Sequence, residues 1–314
     1  MILVTGCTGY LGFHICEYLK TKKIPFYGID NFSRSSQNNI IDKEKFLKID
    51  ISSKHLPKLL EQKKIHTVIH AAAYSFPPES EDKKKIYYKN NIQKTKIFID
   101  YCHEIKIKKF IFFSSSNVYD FNLNKIISVK ETQKLFPKNY YGQTKLIIER
   151  YLNNKFDSCY ILRLFNIAGY VNKGNFYEFK NKYRRILPVI NEAFRKKLTF
   201  KINLIKSKGK AVFPGRDFVH IKDFLEIIFL IIKKQSANNL ILNVGNNKLI
   251  HLDKIINVFE KELKRKIFFK KIISTKGNLN YTLCNNALIK RKFKFNFKFN
   301  LNKIVKSCIN KKII

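Results

Sequence analysis

Tyr141 and Lys145 stand four residues apart in Tyr140-Tyr141-Gly142-Gln143-Thr144-Lys145. On a helix that spacing puts both side chains on one face, about one turn apart. A phenol with a reference pKa of about 10 is a poor base at neutral pH. A neighbouring ammonium favours its ionised form. A phenolate held this way can take a proton from a hydroxyl group, which is half of an alcohol oxidation; a nicotinamide takes the hydride that completes it. Tyr140 has Thr144 at the same offset, so only Tyr141 has a cationic partner. Ser115, at the end of an apolar run, supplies a hydroxyl for the same oxygen. Tyr and Lys are also common on plain helix surfaces, so the pair is chemistry only if a cofactor site lies beside it.

The chain opens on such a site. Met1-Ile2-Leu3-Val4 is a buried-strand run. Gly6-x-x-Gly9-Tyr10-Leu11-Gly12 follows, and His14 to Lys20 continues as a helix with Leu11, Ile15 and Leu19 at four-residue steps. Glycines between strand and helix let backbone approach a pyrophosphate, which the helix N-terminus attracts. A second strand, Phe26-Tyr27-Gly28-Ile29, ends in Asp30. A carboxylate about 20 residues beyond the glycines accepts from ribose hydroxyls and repels a 2′-phosphate. This favours NAD over NADP, with Arg34 as the nearby cation that argues the other way. The plain alternative for Asp30 is a turn or helix cap.

The elements that must position these groups alternate. Val68 to Ala71 and Phe110 to Phe113 follow helix-like segments, the second at Asn91 to Ile105, and Tyr160 to Leu164 follows a helix at Tyr141 to Leu152. The pattern predicts an α/β fold: a doubly wound parallel (Rossmann) sheet with a smaller C-terminal substrate-binding lobe. The division expected is an NAD-binding domain over 1–165 and a mainly substrate-binding lobe over 166–314, with 216–250 returning to the first. Ala71-Ala72-Ala73 and Ser114-Ser115-Ser116 end strands, where ligands bind in such sheets. Leu240 to Gly245 is the last clear core strand. The tail from Lys290 to Asn302 alternates Lys with Phe, as an edge strand or a basic surface would.

Net charge is +39, from 62 Lys and Arg against 23 Asp and Glu. Such an excess suggests nucleic acid, but the lysines are scattered and accompany abundant Ile, Asn and Phe, one Met and no Trp. We read it as compositional bias and expect no nucleic-acid partner. Six cysteines in no zinc or redox spacing predict buried apolar thiols of a reducing compartment, and no metal. No charged leader or membrane-length apolar run is evident, so the expectation is a soluble cytoplasmic protein without a membrane partner.

At this point the chain resembles the extended short-chain dehydrogenase/reductase family, within it the NAD-dependent epimerase/dehydratase group of the UDP-glucose 4-epimerase type. The resemblance lies in TGCTGYLGFH at 5–14, DNFSRSS at 30–36, VIHAAA at 68–73, YYKNN at 87–91, SSSNVY at 114–119, YYGQTK at 140–145, LRLFNIAG at 162–169 and GRDFVHIKD at 215–223. It implies a catalytic set of Ser115, Tyr141 and Lys145. It places Gly6, Gly9, Tyr10, Leu11 and Gly12 at the pyrophosphate, Asp30 and Asn31 at the adenosine ribose, and Asp50 and Ile51 at the adenine. Ala71, Ala72, Ala73 and Asn90 line the cofactor channel, and Phe165 lies near the nicotinamide. Asn166 and Arg216 hold the diphosphate of a nucleotide-sugar, expected to be UDP-linked. The activity implied is 4-epimerisation through a transient 4-keto sugar, in a possible homodimer. Dehydratases of this family resemble one another in carrying an acid where this chain has Ser116 and Asn117. The alternatives are a reductase, dehydrogenase or dehydratase of the same family, a non-catalytic nucleotide sensor, or a nucleic-acid binder. The chain departs from the epimerase pattern at Arg184-Arg185, Lys208 to Pro214 and Lys276-Gly277-Asn278, which leaves the sugar open.

Overall fold

The computed structural model describes residues 1–121, 126–153, 155–172, 176, 185–207, 210–234, 239–273 and 281–309. Arg184, Lys208, Gly209 and Lys276-Gly277-Asn278 lie outside the described residues. The first half runs β1 (Ile2–Thr5), α1 (Tyr10–Thr21), β2 (Phe26–Asp30), β3 (Phe46–Lys48), α2 (Leu56–Gln62), β4 (Thr67–His70), α3 (Pro77–Asp82), α4 (Lys84–Tyr87), α5 (Lys94–Glu104) and β5 (Lys109–Ser115). It continues through β6 (Ser128–Val129), α6 (Tyr140–Tyr151), β7 (Ser158–Leu164) and β8 (Asn166–Ala168). Then come α7 (Ile186–Arg195), β9 (Phe200–Ser207), β10 (Lys210–Val212), β11 (Gly215–His220), α8 (Ile221–Lys233) and β12 (Leu240–Val244). The chain closes with β13 (Leu249–His251), α9 (Leu252–Leu263), β14 (Phe269–Ile273), β15 (Tyr281–Cys284), α10 (Ala287–Phe293) and α11 (Leu301–Cys308).

Seven parallel strands form one sheet in the order β12-β7-β5-β4-β1-β2-β3. Its strands are apolar on both faces because both are covered. In β1, Ile2 and Val4 enter the core beneath α1 and α8, while Leu3 enters the one beneath α2 and α5. In β5, Ile111 and Phe113 face the first core, and Phe110 and Phe112 the second. Chain order reverses between β1 and β4, so a crevice opens at their carboxyl ends, where such sheets take ligands.

A further core gathers α7, β9, α9 and α11, with Ile190, Ile255, Phe259 and Val305 fully covered. Two smaller sheets, β10-β9-β14 and β13-β11-β15-β6, are built mainly from this part of the chain, with β6 contributed from the first half, and β8 pairs with β11. The Lys/Phe tail is not an edge strand; its Lys290, Lys292, Lys294 and Lys298 are exposed, as a basic surface requires, while its phenylalanines turn inward. It is α10, then an extended stretch whose Phe295 and Phe297 pack on the main core, then α11. All six cysteines are buried and reduced. No described helix is long and apolar enough to cross a membrane.

Candidate active site

β5 and α6 bring Ser115, Tyr141 and Lys145 together, all buried. The start of α6 is held by side chains from two places. Its Tyr140 N–H donates to Glu81 Oε1 at 2.6 Å and its Tyr141 N–H to Ser80 Oγ at 3.0 Å, both from α3. The Gly142 N–H donates to Oδ1 of the N-cap Asn139 at 2.8 Å. Helix starts leave such groups unpaired unless side chains satisfy them. A Cβ at Gly142 would lie 2.3 Å from the Asn117 carbonyl, so only glycine lets the helix seat against the turn after β5.

Ser115 ends β5 and caps the short 3₁₀ turn Ser116–Val118, accepting the Asn117 N–H at 3.2 Å. The Lys145 ammonium lies 5.8 Å from the Tyr141 ring centroid and donates to the Phe113 carbonyl at 2.8 Å. Burial pulls Lys145 down to about 7, with Glu149 one turn on opposing it. Burial likewise keeps His70 beside it neutral, down to about 3. Burial pushes Tyr141 up to about 12, and the group that pulls it back is Ser115, not Lys145. The reason is that Lys145 is itself desolvated and therefore a weak source of charge near neutral pH.

At the crevice between β1 and β4 lies an open groove lined by Gly6, Gly9, Asp30, Asn31, Ile51, Ala71, Ala72, Ala73 and Asn90, with Arg34 and Tyr74 added. Gly6 adopts φ +63, and a Cβ there would lie 2.8 Å from the Ala72 backbone. The N-cap of α1 is Gly9, and no side chain caps that helix start. The groove therefore fits a dinucleotide: a backbone cradle with helix N–H groups for phosphates, and a carboxylate at the next strand end. Asp30 accepts from the Thr8 and Phe32 N–H groups and from the Ser35 hydroxyl. Asp50 accepts from Asn31 at 2.8 Å and pairs with Lys94 at 2.5 Å. Burial works against its ionisation, but Lys94 and the Ser52 donors outweigh that and take it down to about 2.

Other expected residues sit outside the groove lining. The Tyr10 side chain turns away, its hydroxyl donating to the Gly169 carbonyl at 2.5 Å, and Arg185 lies over its ring. Gly12 packs against the Gly6 carbonyl, which a Cβ would meet at 2.1 Å. Leu11 packs on the main core. Phe165 is buried at the end of β7, its N–H bonded to the Val244 carbonyl. The β8–β11 pairing sets Asn166 opposite Phe218, two residues from Arg216. Asn166 donates to the Asp217 carbonyl at 3.1 Å. Burial lowers the Arg216 guanidinium to about 10, an environment that favours an anionic partner.

Several site residues had no assigned role in the sequence reading. Arg34 is ion-paired with buried Glu79 and lies over the Tyr74 ring at 3.9 Å. Glu79 also accepts from the Tyr87 hydroxyl. Asn90, which the resemblance already placed at the cofactor channel, sits in a π-helical stretch, Tyr88–Gln93, that the sequence did not announce; the form recurs at functional sites. Asn139, directly before the Tyr140 helix, is the one that sequence logic could have found, since Asn is a preferred N-cap.

A parallel sheet with a glycine cradle at its switch point and a buried Tyr-Lys-Ser cluster beside it defines a dinucleotide-binding α/β protein. The family model described as NAD dependent epimerase/dehydratase matches residues 2–245. The chain belongs to that family. The UDP-glucose 4-epimerase of Lacticaseibacillus casei is 29% identical over 245 residues, 76% of this chain and 73% of that protein. The dTDP-D-glucose 4,6-dehydratase of Dictyostelium discoideum is 29% identical over 285 residues, covering 82% of this chain and 62% of its own. The crystal structure of UDP-glucose 4-epimerase from Bifidobacterium longum in complex with NAD+ and UDP has the same fold, with a TM-score of 0.89 at 20% identity over 98% of this chain and 96% of that one.

Proposed function

We propose that this chain is an NAD-dependent nucleotide-sugar 4-epimerase, most concretely of a UDP-hexose. The observation that carries the reading is the buried Ser115–Tyr141–Lys145 cluster at the carboxyl end of β5, beside a groove built for a dinucleotide. When bound, NAD⁺ accepts the hydride and returns it, and adds a positive charge that favours a phenolate. Gly6, Gly9 and the start of α1 would hold its pyrophosphate, and Asp30 and Asn31 the adenosine ribose. Arg34 is committed to Glu79, which supports NAD over NADP.

The chain's own residues then do the proton work. Tyr141 takes the proton of the sugar 4-hydroxyl and gives it back after the keto sugar has turned over. Ser115 donates to the phenol oxygen and stabilises it while it is ionised. Lys145, fixed on the Phe113 carbonyl, contributes its charge to the degree that it is protonated. Asn166 and Arg216, on neighbouring strands, suit the substrate diphosphate, since an Arg fork pairs with phosphate oxygens. Ser116 and Asn117 stand where a dehydratase needs a carboxylic acid, so expulsion of water lacks its acid catalyst here. To the same reading belong a cytoplasmic setting and a homodimer through α5 and α6, which expose Ile97 and Ile147.

The test is incubation of purified protein with UDP-glucose and UDP-galactose, followed by NMR, with NAD released on denaturation counted per chain. Interconversion by wild type, and its loss by at least about a thousandfold in Tyr141→Phe with NAD retained, is expected. A Tyr141→Phe protein that still turns over removes the base from the proposal.

A further inference from the structure

β8 and β11 run parallel and end together, Ala168 opposite His220. Ligands collect beyond the carboxyl ends of parallel strands. A second groove lies beyond these two, apart from the one at β1 and β4, and is lined by Tyr170, His220, Lys222, Phe299, Lys303 and Lys306. His220 brings to it a donor with nothing to donate to. The ring is 2% exposed, and its Nδ1 accepts the Lys222 N–H at 3.0 Å. A neutral imidazole that accepts at one nitrogen carries its proton on the other. Burial, reinforced by the positive charge of Lys222 and Lys303, keeps the ring neutral, down to about 3. The proton is therefore on Nε2, which has no hydrogen-bond partner among the described residues. Gly169 leaves that edge uncovered, since a Cβ there would lie 3.0 Å from Nε2 and 2.5 Å from Ser307 Oγ. Phe299 stacks on the ring at 4.4 Å and fixes its plane.

Three ammonium groups surround this groove, two of them where a helix disfavours them. Lys222 is in the first turn of α8 and Lys303 in that of α11, at ends whose dipole repels cations. Two helices that break a local rule at one groove point to a use for the charge. The neighbouring carboxylates do not neutralise it. Asp223 commits its oxygens to the Lys298 and Phe299 N–H groups, and Glu17 accepts from Asn172. Glu262 reaches Lys306 at 3.4 Å in an exposed pair, which is a weak one. We propose that this groove is a second anion site, taking the phosphate group of free phosphate or of a small phosphorylated metabolite between His220 Nε2 and the ammonium groups of Lys222, Lys303 and Lys306. One wall is the stretch after β8 whose Gly169 carbonyl receives the Tyr10 hydroxyl, so the site adjoins the start of α1.

The test is isothermal titration calorimetry of the full chain with inorganic phosphate and, separately, with glucose 6-phosphate. The buffer holds about 0.15 M KCl, with NAD and UDP present to fill the other phosphate-binding places. We expect one saturable site per chain. The triple variant Lys222→Met, Lys303→Met, Lys306→Met should weaken it at least about tenfold. The same change at exposed Lys43, Lys58 and Lys108, which removes equal charge, should leave it within about twofold. His220→Phe keeps an aromatic ring against Phe299 but removes the N–H, and should weaken binding about tenfold. Equal weakening by the two lysine triples reduces the effect to net charge and overturns the site. So does the absence of saturable binding by wild type up to about 10 mM of either anion. If His220→Phe unfolds, the lysine comparison alone decides. Tighter binding of the sugar phosphate would make the ligand a metabolite and equal binding the free anion, and each supports the site. Because the lysine comparison locates the signal even if UDP does not bind, failure of the epimerase reading and failure of this one are distinguishable.

Discussion

Replacing Arg163 with Met tests how the catalytic helix is anchored to the sheet. Arg163 on β7 is fully covered, and its Nε and Nη2 reach both oxygens of Glu149 on α6, at 2.8 to 3.2 Å. Its Nη1 donates to the Tyr119 hydroxyl and to the Glu131 carbonyl, both at 2.9 Å. Ser114 donates to the same carboxylate, and Tyr119 passes the network on to Asn243 of β12. The substitution strands Glu149 as a buried carboxylate that keeps the Ser114 hydroxyl as a donor. Breaking one side of such a pair costs about 3–5 kcal/mol, whereas replacing both sides by apolar groups is often near neutral. A melting entropy of about 2 cal/mol/K per residue makes each kcal/mol worth roughly 1.5 °C in a chain of this length. Arg163→Met should therefore melt about 5–8 °C below wild type by circular dichroism at fixed NAD concentration. The pair Glu149→Leu with Arg163→Met should recover most of that loss. A single variant that melts within about 2 °C of wild type, or a double that falls by the sum of the singles, refutes the argument.

Asp30→Ser removes the carboxylate from the ribose end of the groove and should narrow any preference for NAD over NADP by about tenfold, read from the two dissociation constants; unchanged discrimination would move cofactor choice elsewhere. Asp50 is held down at about 2 in the fold against about 4 unfolded, so its stabilisation is present above pH 4 and is lost as pH falls through 2. Asp50→Asn should flatten that acid limb in urea titrations between pH 2 and 4. Lys145 sits at about 7 in the fold and about 10.4 unfolded, so its burial penalty is full below pH 7 and fades as pH rises toward 10.4. Lys145→Met should remove that rise in melting temperature with pH while abolishing turnover; a rise that persists would assign it to other groups.

Which parts of the chain were legible follows from what set them. β1, β5 and β7 are continuous apolar runs because both faces are covered, and they came through directly, whereas the half-exposed edge strand β3 did not. The four-residue step from Tyr141 to Lys145 survives as helix geometry, and the glycines and Asp30 meet in one groove. The π-helical turn over Tyr88–Gln93 was hidden because a tertiary contact accompanies it: the Asn91 side chain grips both the N–H and the carbonyl of Tyr74, each at 2.9 Å. No local pattern announces that pairing. The Lys/Phe tail misled for a related reason, since its alternation reflects one-sided packing on the core without any strand partner. The desolvation that raises Tyr141 in the cofactor-free chain was not legible, because spacing reports neighbours while burial depends on everything that encloses them.

Three consecutive residues of α3 have separate tasks. Glu79 pairs with Arg34, which borders the groove; Ser80 receives the Tyr141 amide; Glu81 receives that of Tyr140. This short helix thus ties the groove at the end of β2 to the first turn of α6. On the proposed function, the residues that border the cofactor groove and those that seat the Tyr141 helix start therefore share one six-residue support, so a change in α3 reaches both.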